Sequence, residues 1–188
     1  MIRLDTLTES DLPLIVEWRK ADPAGARTPY DISIEQERAW FSRLQEPGCR
    51  DRYWALRRYD DVHQQAWRVQ SGLPAGEHIG LTGLTSIEWE NGRAEIALLV
   101  DPTLRGKGYG SEGVRLTLEQ AFDRMRLASV YGEVYHCNKY LEFWCHQVGK
   151  YRAFMVTLTK AKWWNGQHWP AMHFTIIADG WRAWKAKQ

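Results

Sequence analysis

The chain lacks the features that mark secreted, membrane-embedded and metal-scaffolded proteins. Its three cysteines, Cys49, Cys137 and Cys145, are odd in number and form no Cys-x-x-Cys pair. Neither a disulfide framework nor a zinc site follows from them, and a metal site is not expected. No apolar run approaches the roughly 18 residues of a membrane span. At the N-terminus Asp5 arrives before any signal-type apolar segment develops. Neither sign of charge prevails, since 25 Lys and Arg stand against 23 Asp and Glu and leave a net charge of +2. That balance gives no general pull toward nucleic acid or an anionic membrane. No internal repeat, low-complexity tract or linker divides the 188 residues. These absences lead to the expectation of one cytoplasmic domain spanning residues 1–188, with neither nucleic acid nor membrane as a partner.

Tryptophan is the residue in excess, with 11 copies. Core and interface packing accounts for most large rings, and a ring-lined acceptor pocket is the functional alternative. Along the chain, Ile2–Leu7 alternates as a half-buried strand does, and Thr8-Glu9-Ser10-Asp11 and Ser33-Ile34-Glu35-Gln36 have the form of capping boxes opening two helices. A Pro- and Gly-rich loop separates those helices. Strands are expected at 53–56, 78–89 and 93–100, the last two joined by Asn91-Gly92, and a long polar connection runs from Asp60 to Glu77. Val114, Leu118, Phe122 and Met125 stripe one face of a helix from Ser111 to Met125. A strand at 130–135 and a short helix capped by Asn138 follow. Strands near 154–163 and 168–177 flank Asn165-Gly166, and a tail holds Trp181 and Trp184. The order is β-α-α-β-β-β-α-β-α-β-β, a mixed α/β domain.

The segment richest in chemistry runs from Glu95 to Gly110: a strand, a turn containing Gly106, Gly108 and Gly110, and a helix N-terminus. Glycines admit close backbone approach and positive φ. The first N–H groups of a helix lack intrahelical partners and sit at the positive end of its dipole, which suits a pyrophosphate. Arg105 and Lys107 add charge. A dinucleotide fingerprint does not fit, because position 111 is Ser, and no Gly-Lys-Ser/Thr of a nucleotide P-loop is present. Taken alone, the run also fits a plain loop-to-helix transition.

Arg105-x-x-Gly108-x-Gly110 has the spacing of the signature that holds the coenzyme A pyrophosphate in GNAT acetyltransferases, and it falls after the fourth strand as in that family. Glu95 stands ten residues before Arg105, where many relatives carry a glutamate, and Asn138–Gly149 is similar to the family's asparagine-led helix, with Lys150 where an aromatic usually follows. Trp18-Arg19 and Ile34 with Trp40-Phe41 resemble the branch containing ribosomal-protein and amino-sugar-nucleotide N-acetyltransferases.

The resemblance implies that acetyl-CoA is the co-substrate and that a neutral amine attacks its thioester directly; His136 and Cys137 have no third ligand at metal spacing, so no metal is expected. It assigns cofactor contacts to Leu98, Leu99 and Val100, to the run Arg105, Gly106, Lys107, Gly108, Tyr109, Gly110 and Ser111, and to Asn138. A backbone N–H of 98–100 is the implied oxyanion donor. Glu95 is the first choice of base, although it also reads as a strand-surface ion-pair member, and Glu133 is the second. The family's tyrosine acid falls on Cys145; packing is the other reading of that thiol, with Tyr140 or solvent supplying the proton. Trp18, Arg19, Tyr30, Trp40 and Trp164, with Arg27, Trp163 and Trp169, fall where the family builds its acceptor site. Rings and guanidinium groups suit a nucleotide-linked amino sugar or another phosphorylated small amine. Alternatives are a protein N-terminal amine, a coenzyme A-binding sensor, and an interaction protein whose tryptophans form an oligomer surface, as in a homodimer.

Overall fold

Local sequence signals and burial together place the elements of the computed structural model, which describes residues 1–28, 30–59 and 76–188. Most of the polar connection expected at 60–77 lies outside the described residues. β1 (Ile2–Thr6) leads through a single 3-10 turn into α1 (Leu12–Lys20). Asp11 closes that turn by accepting from the Thr8 N–H at 2.9 Å and the Thr8 hydroxyl at 2.8 Å. α2 (Ile34–Arg43) opens with a reciprocal capping box. The Gln36 N–H donates to Ser33 Oγ at 3.2 Å, and the Ser33 N–H donates to Gln36 Oε1 at 2.9 Å.

β2 (Arg52–Arg58), β3 (Glu77–Glu88) and β4 (Arg93–Val100) follow, then α3 (Tyr109–Leu118), β5 (Ser129–Tyr135) and α4 (Leu141–Lys150). β6 (Phe154–Trp164), β7 (Gln167–Ile177) and α5 (Ala178–Lys185) complete the chain. Asn165 and Gly166 both take positive φ, 47° and 80°, as a tight hairpin between twisted strands requires. α3 runs on into a π-helical turn, Glu119–Arg124, closed by the Met125 N–H on Gln120 O at 2.8 Å. The wider turn departs from the regular helix expected to Met125.

The seven strands form one sheet in the order β1-β2-β3-β4-β5-β7-β6, antiparallel except between β4 and β5. Side-chain alternation divides the core between its two faces. Ala94 and Ile96 of β4 join Val114, Leu118, Phe122, Val130, Phe174 and Trp181 under α3, α4 and α5. Leu7, Leu12, Ile15, Trp18, Ala55 and Leu81 form the smaller cluster under α1 and α2. α3 lies close to the sheet because Gly113 has no side chain; a Cβ there would sit 3.1 Å from Leu98 and 3.3 Å from Leu56.

Buried charge also lies on the α1–α2 face. Arg57 Nη2 donates to both carboxylate oxygens of Asp11, at 2.7 and 2.9 Å, and its Nε lies 3.7 Å from Asp5. His78 Nδ1 lies 3.2 Å from Asp11, and its ring meets Trp18 edge-on at 4.8 Å.

Candidate active site

β4 and β5 pair over only three rungs, Arg93–Glu95 with Ser129–Tyr131. β4 nevertheless stays paired to β3 as far as Val100, and β5 to β7 as far as Tyr135. Beyond the third rung the two strands part. The Asp101 N–H donates to Ile79 O at 3.0 Å, which sets the parity of the ladder. Odd-numbered peptide groups of β4 therefore face β3, the Ile96 N–H closes the last rung with β5, and those of Leu98 and Val100 face the opening. Of the three residues expected to work through the backbone, Leu98 and Val100 present their N–H groups there, whereas Leu99 turns its own toward β3. The Val100 carbonyl accepts from Arg105 Nε at 3.0 Å.

The glycine turn closes one end of the opening. Gly106 and Gly108 take φ of 78° and 84°, and a Cβ at either would meet no atom within 4 Å. Their requirement is conformational, and it leaves an uncovered cradle at the α3 N-terminus, with Gly108 as its N-cap. Lys107 is exposed between them. Ser111 Oγ accepts from Gln147 Nε2 at 3.0 Å, which ties α3 to α4, and Tyr109 accepts from Arg58 Nη1 at 2.9 Å. Arg105 Nη1 donates to the Tyr140 hydroxyl at 2.6 Å and lies 3.5 Å from Asp22. Asn138 Oδ1 accepts from the Tyr140 N–H at 2.8 Å, so it makes a turn ahead of α4, not the cap itself. Cys145 Sγ lies 3.8 Å from Met172 Sδ, turned toward β7.

On the α1–α2 face, carboxylates from both parting strands meet one cation. Arg27, from the loop between α1 and α2, engages both oxygens of Glu95, one at 3.0 Å, and its Nε lies 3.5 Å from Glu133. The Arg27 side chain is 59% exposed, against 12% for Glu95 and 16% for Glu133. Glu133 has a further partner that the sequence reading missed, His173 Nε2 at 2.5 Å. Burial opposes ionisation of Glu133, but the Tyr135 hydroxyl, Arg27 and His173 outweigh it and hold the carboxyl below the usual range. Burial and the Glu133 carboxylate push the Tyr135 phenol up to about 12. Lys162 on β6 donates to Ala24 O at 2.8 Å and also to Ala26 O, fastening the Arg27 loop over this face.

The other acceptor candidates are scattered. Trp18 is buried against His78. Trp40 meets Tyr53 edge-on at 4.9 Å. Arg19 lies 3.5 Å from Glu37, a carboxylate only 1% exposed whose Oε1 has no hydrogen-bond partner among the described residues. Burial raises the Glu37 carboxyl and Arg19 only partly offsets it. Tyr30 and Trp163 are exposed, and the Trp164 ring lies 5.4 Å from Lys162 Nζ. Glu37, Tyr135, Lys162 and His173 carry no local motif; helix packing sets Glu37 beside Arg19, strand register sets the other three about Glu133, and neither is legible in a single sequence.

Among the described residues no cluster of three metal-ligating side chains occurs, and no helix is long and apolar enough to cross a membrane. Residues 2–140 match the family model described as acetyltransferase (GNAT) domain. No curated protein matches the chain. Solved structures with the same fold include a mutant spermidine/spermine N-acetyltransferase SpeG from Vibrio cholerae, at 18% identity and TM-score 0.76, covering 97% of this chain and 96% of that one. The spermidine N-acetyltransferase of Vibrio cholerae in complex with CoA and spermine is similar at 17% identity and TM-score 0.75, covering 96% and 98%.

Proposed function

The chain belongs to the GNAT acetyltransferase family and is an acetyl-CoA-dependent N-acetyltransferase; from that premise we propose that its acceptor is a small, cationic primary amine bound between Glu95 and Glu133. The observation that carries this reading is the single guanidinium shared by the two carboxylates, one from each parting strand. A cation is at home there, and an ammonium replacing Arg27 inherits both charge partners. The guanidinium groups that the sequence offered to a phosphate are already engaged, Arg19 beside Glu37 and Arg27 with Glu95 and Glu133. That favours a cationic amine over a phosphorylated amine or a nucleotide-linked amino sugar. Its likeness in fold to the enzyme seen with CoA and spermine agrees in chemistry.

The residues present fit coenzyme A. The α3 N-terminus with Gly106 and Gly108 suits the pyrophosphate, Arg105 holds that turn to Val100 O, and the exposed edge of β4 suits an amide-bearing arm. Acetyl-CoA supplies the activated acetyl group. The chain orients the amine by its two carboxylates and offers the Leu98 and Val100 N–H groups to a developing oxyanion. Tyr140, which accepts from Arg105, and Cys145 are the candidate proton donors to the leaving thiolate.

The test is acetyl transfer from acetyl-CoA to a panel of diamines, polyamines, phosphorylated amino sugars and N-terminal peptides, alongside thermal unfolding with acetyl-CoA. A ligand at about 100 times its Kd stabilises by roughly 2.7 kcal/mol, and Arg105→Glu and Gly108→Asp are expected to abolish that shift. Turnover confined to phosphorylated amines or peptides overturns the acceptor assignment. Acetyl-CoA binding without turnover points to a sensor.

A further inference from the structure

Glu95 and Glu133 are alike in sequence context and share Arg27, yet their remaining contacts differ. Among the described residues the Glu95 carboxylate meets only Arg27. Glu133 bridges: its Oε1 lies toward Arg27 and its Oε2 toward His173 Nε2. His173 stands directly across from Glu133 in the β5–β7 ladder, so a strand pair holds the carboxylate–imidazole contact. The His173 side chain is 35% exposed, and its Nδ1 has no partner among the described residues.

We propose that Glu133 and His173 form a proton exit, in which Glu133 takes the proton from the acceptor ammonium and His173 passes it to solvent. This rests on the reading of the Arg27 position as the amine site. The ammonium N–H bond breaks and the proton binds Glu133 Oε1, leaving the neutral amine. With His173 in its Nδ1–H tautomer, whose Nε2 carries no hydrogen, rotation of the carboxyl brings that proton to Nε2, forms the imidazolium and restores the carboxylate. The imidazole then loses the proton on Nδ1 to water, and exchange with solvent resets its tautomer. A carboxylate held below its usual range keeps a proton only briefly, so a neighbouring acceptor turns a weak base into an effective route. Glu95 keeps the amine in place. The charged and titratable groups facing His173 and Glu133 are Arg27 from the α1–α2 loop, Glu95 of β4, Tyr135 of β5 and Lys162 of β6.

The experiment compares wild type, His173→Gln and Glu133→Gln across pH, each checked for the acetyl-CoA-induced thermal shift. His173→Gln is expected to lower kcat by roughly 10²-fold near neutral pH, with KM for acetyl-CoA unchanged. Added imidazole is expected to restore part of the rate, and the deficit is expected to shrink at high pH, where the amine arrives already neutral. Full activity of His173→Gln, or a loss that neither imidazole nor pH relieves, overturns the exit. Wild type that binds acetyl-CoA but acetylates no amine overturns the proposed reaction and the exit with it.

Discussion

Two clusters of carboxylates and guanidinium lie on the same face of the sheet, and they differ in access to water. In the first, Arg57, Asp11 and His78 are sealed beneath α1, with Arg57 Nη2 bridging both oxygens of Asp11. In the second, Arg27 spans Glu95 and Glu133 from a loop, and more than half of its side chain is exposed. Enclosed charges cannot trade partners without a large penalty, so the first cluster fixes how α1 seats on β2 and β3. A half-exposed cation gives way to another cation at little cost, so the second can exchange. The same residue types are locked in one place and exchangeable in the other, which is what the proposed amine site requires.

Breaking the sealed cluster should have the largest effect. Arg57→Met strands Asp11 without its counter-ion and should destabilise by about 3–5 kcal/mol. Thermal unfolding should show a Tm lowered by roughly 10–15 °C, and a drop of a degree or two would remove the distinction between the clusters.

The next effect is on pH dependence. Burial and Arg57 lower the His78 imidazole against the opposing pull of Asp11. The unfolded chain then takes up a proton below about pH 6.5 while folded His78 resists, so stability is full above that pH and declines below it. Tm measured from pH 7 to 5 should fall in wild type and fall less in His78→Leu. Asp11, held low despite burial by Thr8 and Arg57, adds a further loss only below about pH 4.

The smallest effect on stability should come from Arg27→Ala, within about 1 kcal/mol. Its consequence belongs to the site: KM for a cationic amine should fall severalfold as the resident competitor is removed. An unchanged or raised KM would show that Arg27 aids the acceptor.

Physical scale explains what could be read in advance. Asn165-Gly166, the Ser33 box and the Arg105 turn depend on neighbours a few residues apart, and they stand where their chemistry requires. The π turn at 119–124 was not legible, because it is bound up with how Ala121, Phe122 and Trp181 pack. The Glu133–His173 contact joins residues 40 apart through a register that only the folded sheet defines. Arg27, Glu95 and Glu133 could each be named as candidates, but not their meeting.

The parting of β4 from β5 also bears on inheritance. The opening offers peptide N–H groups of Leu98 and Val100, and every L-amino acid except proline carries that group. Under the roles proposed for those groups, descendants of this chain can exchange the side chains for others of similar bulk and keep the chemistry. Volume and the exclusion of proline are, under the proposed roles, the constraints on side-chain identity there.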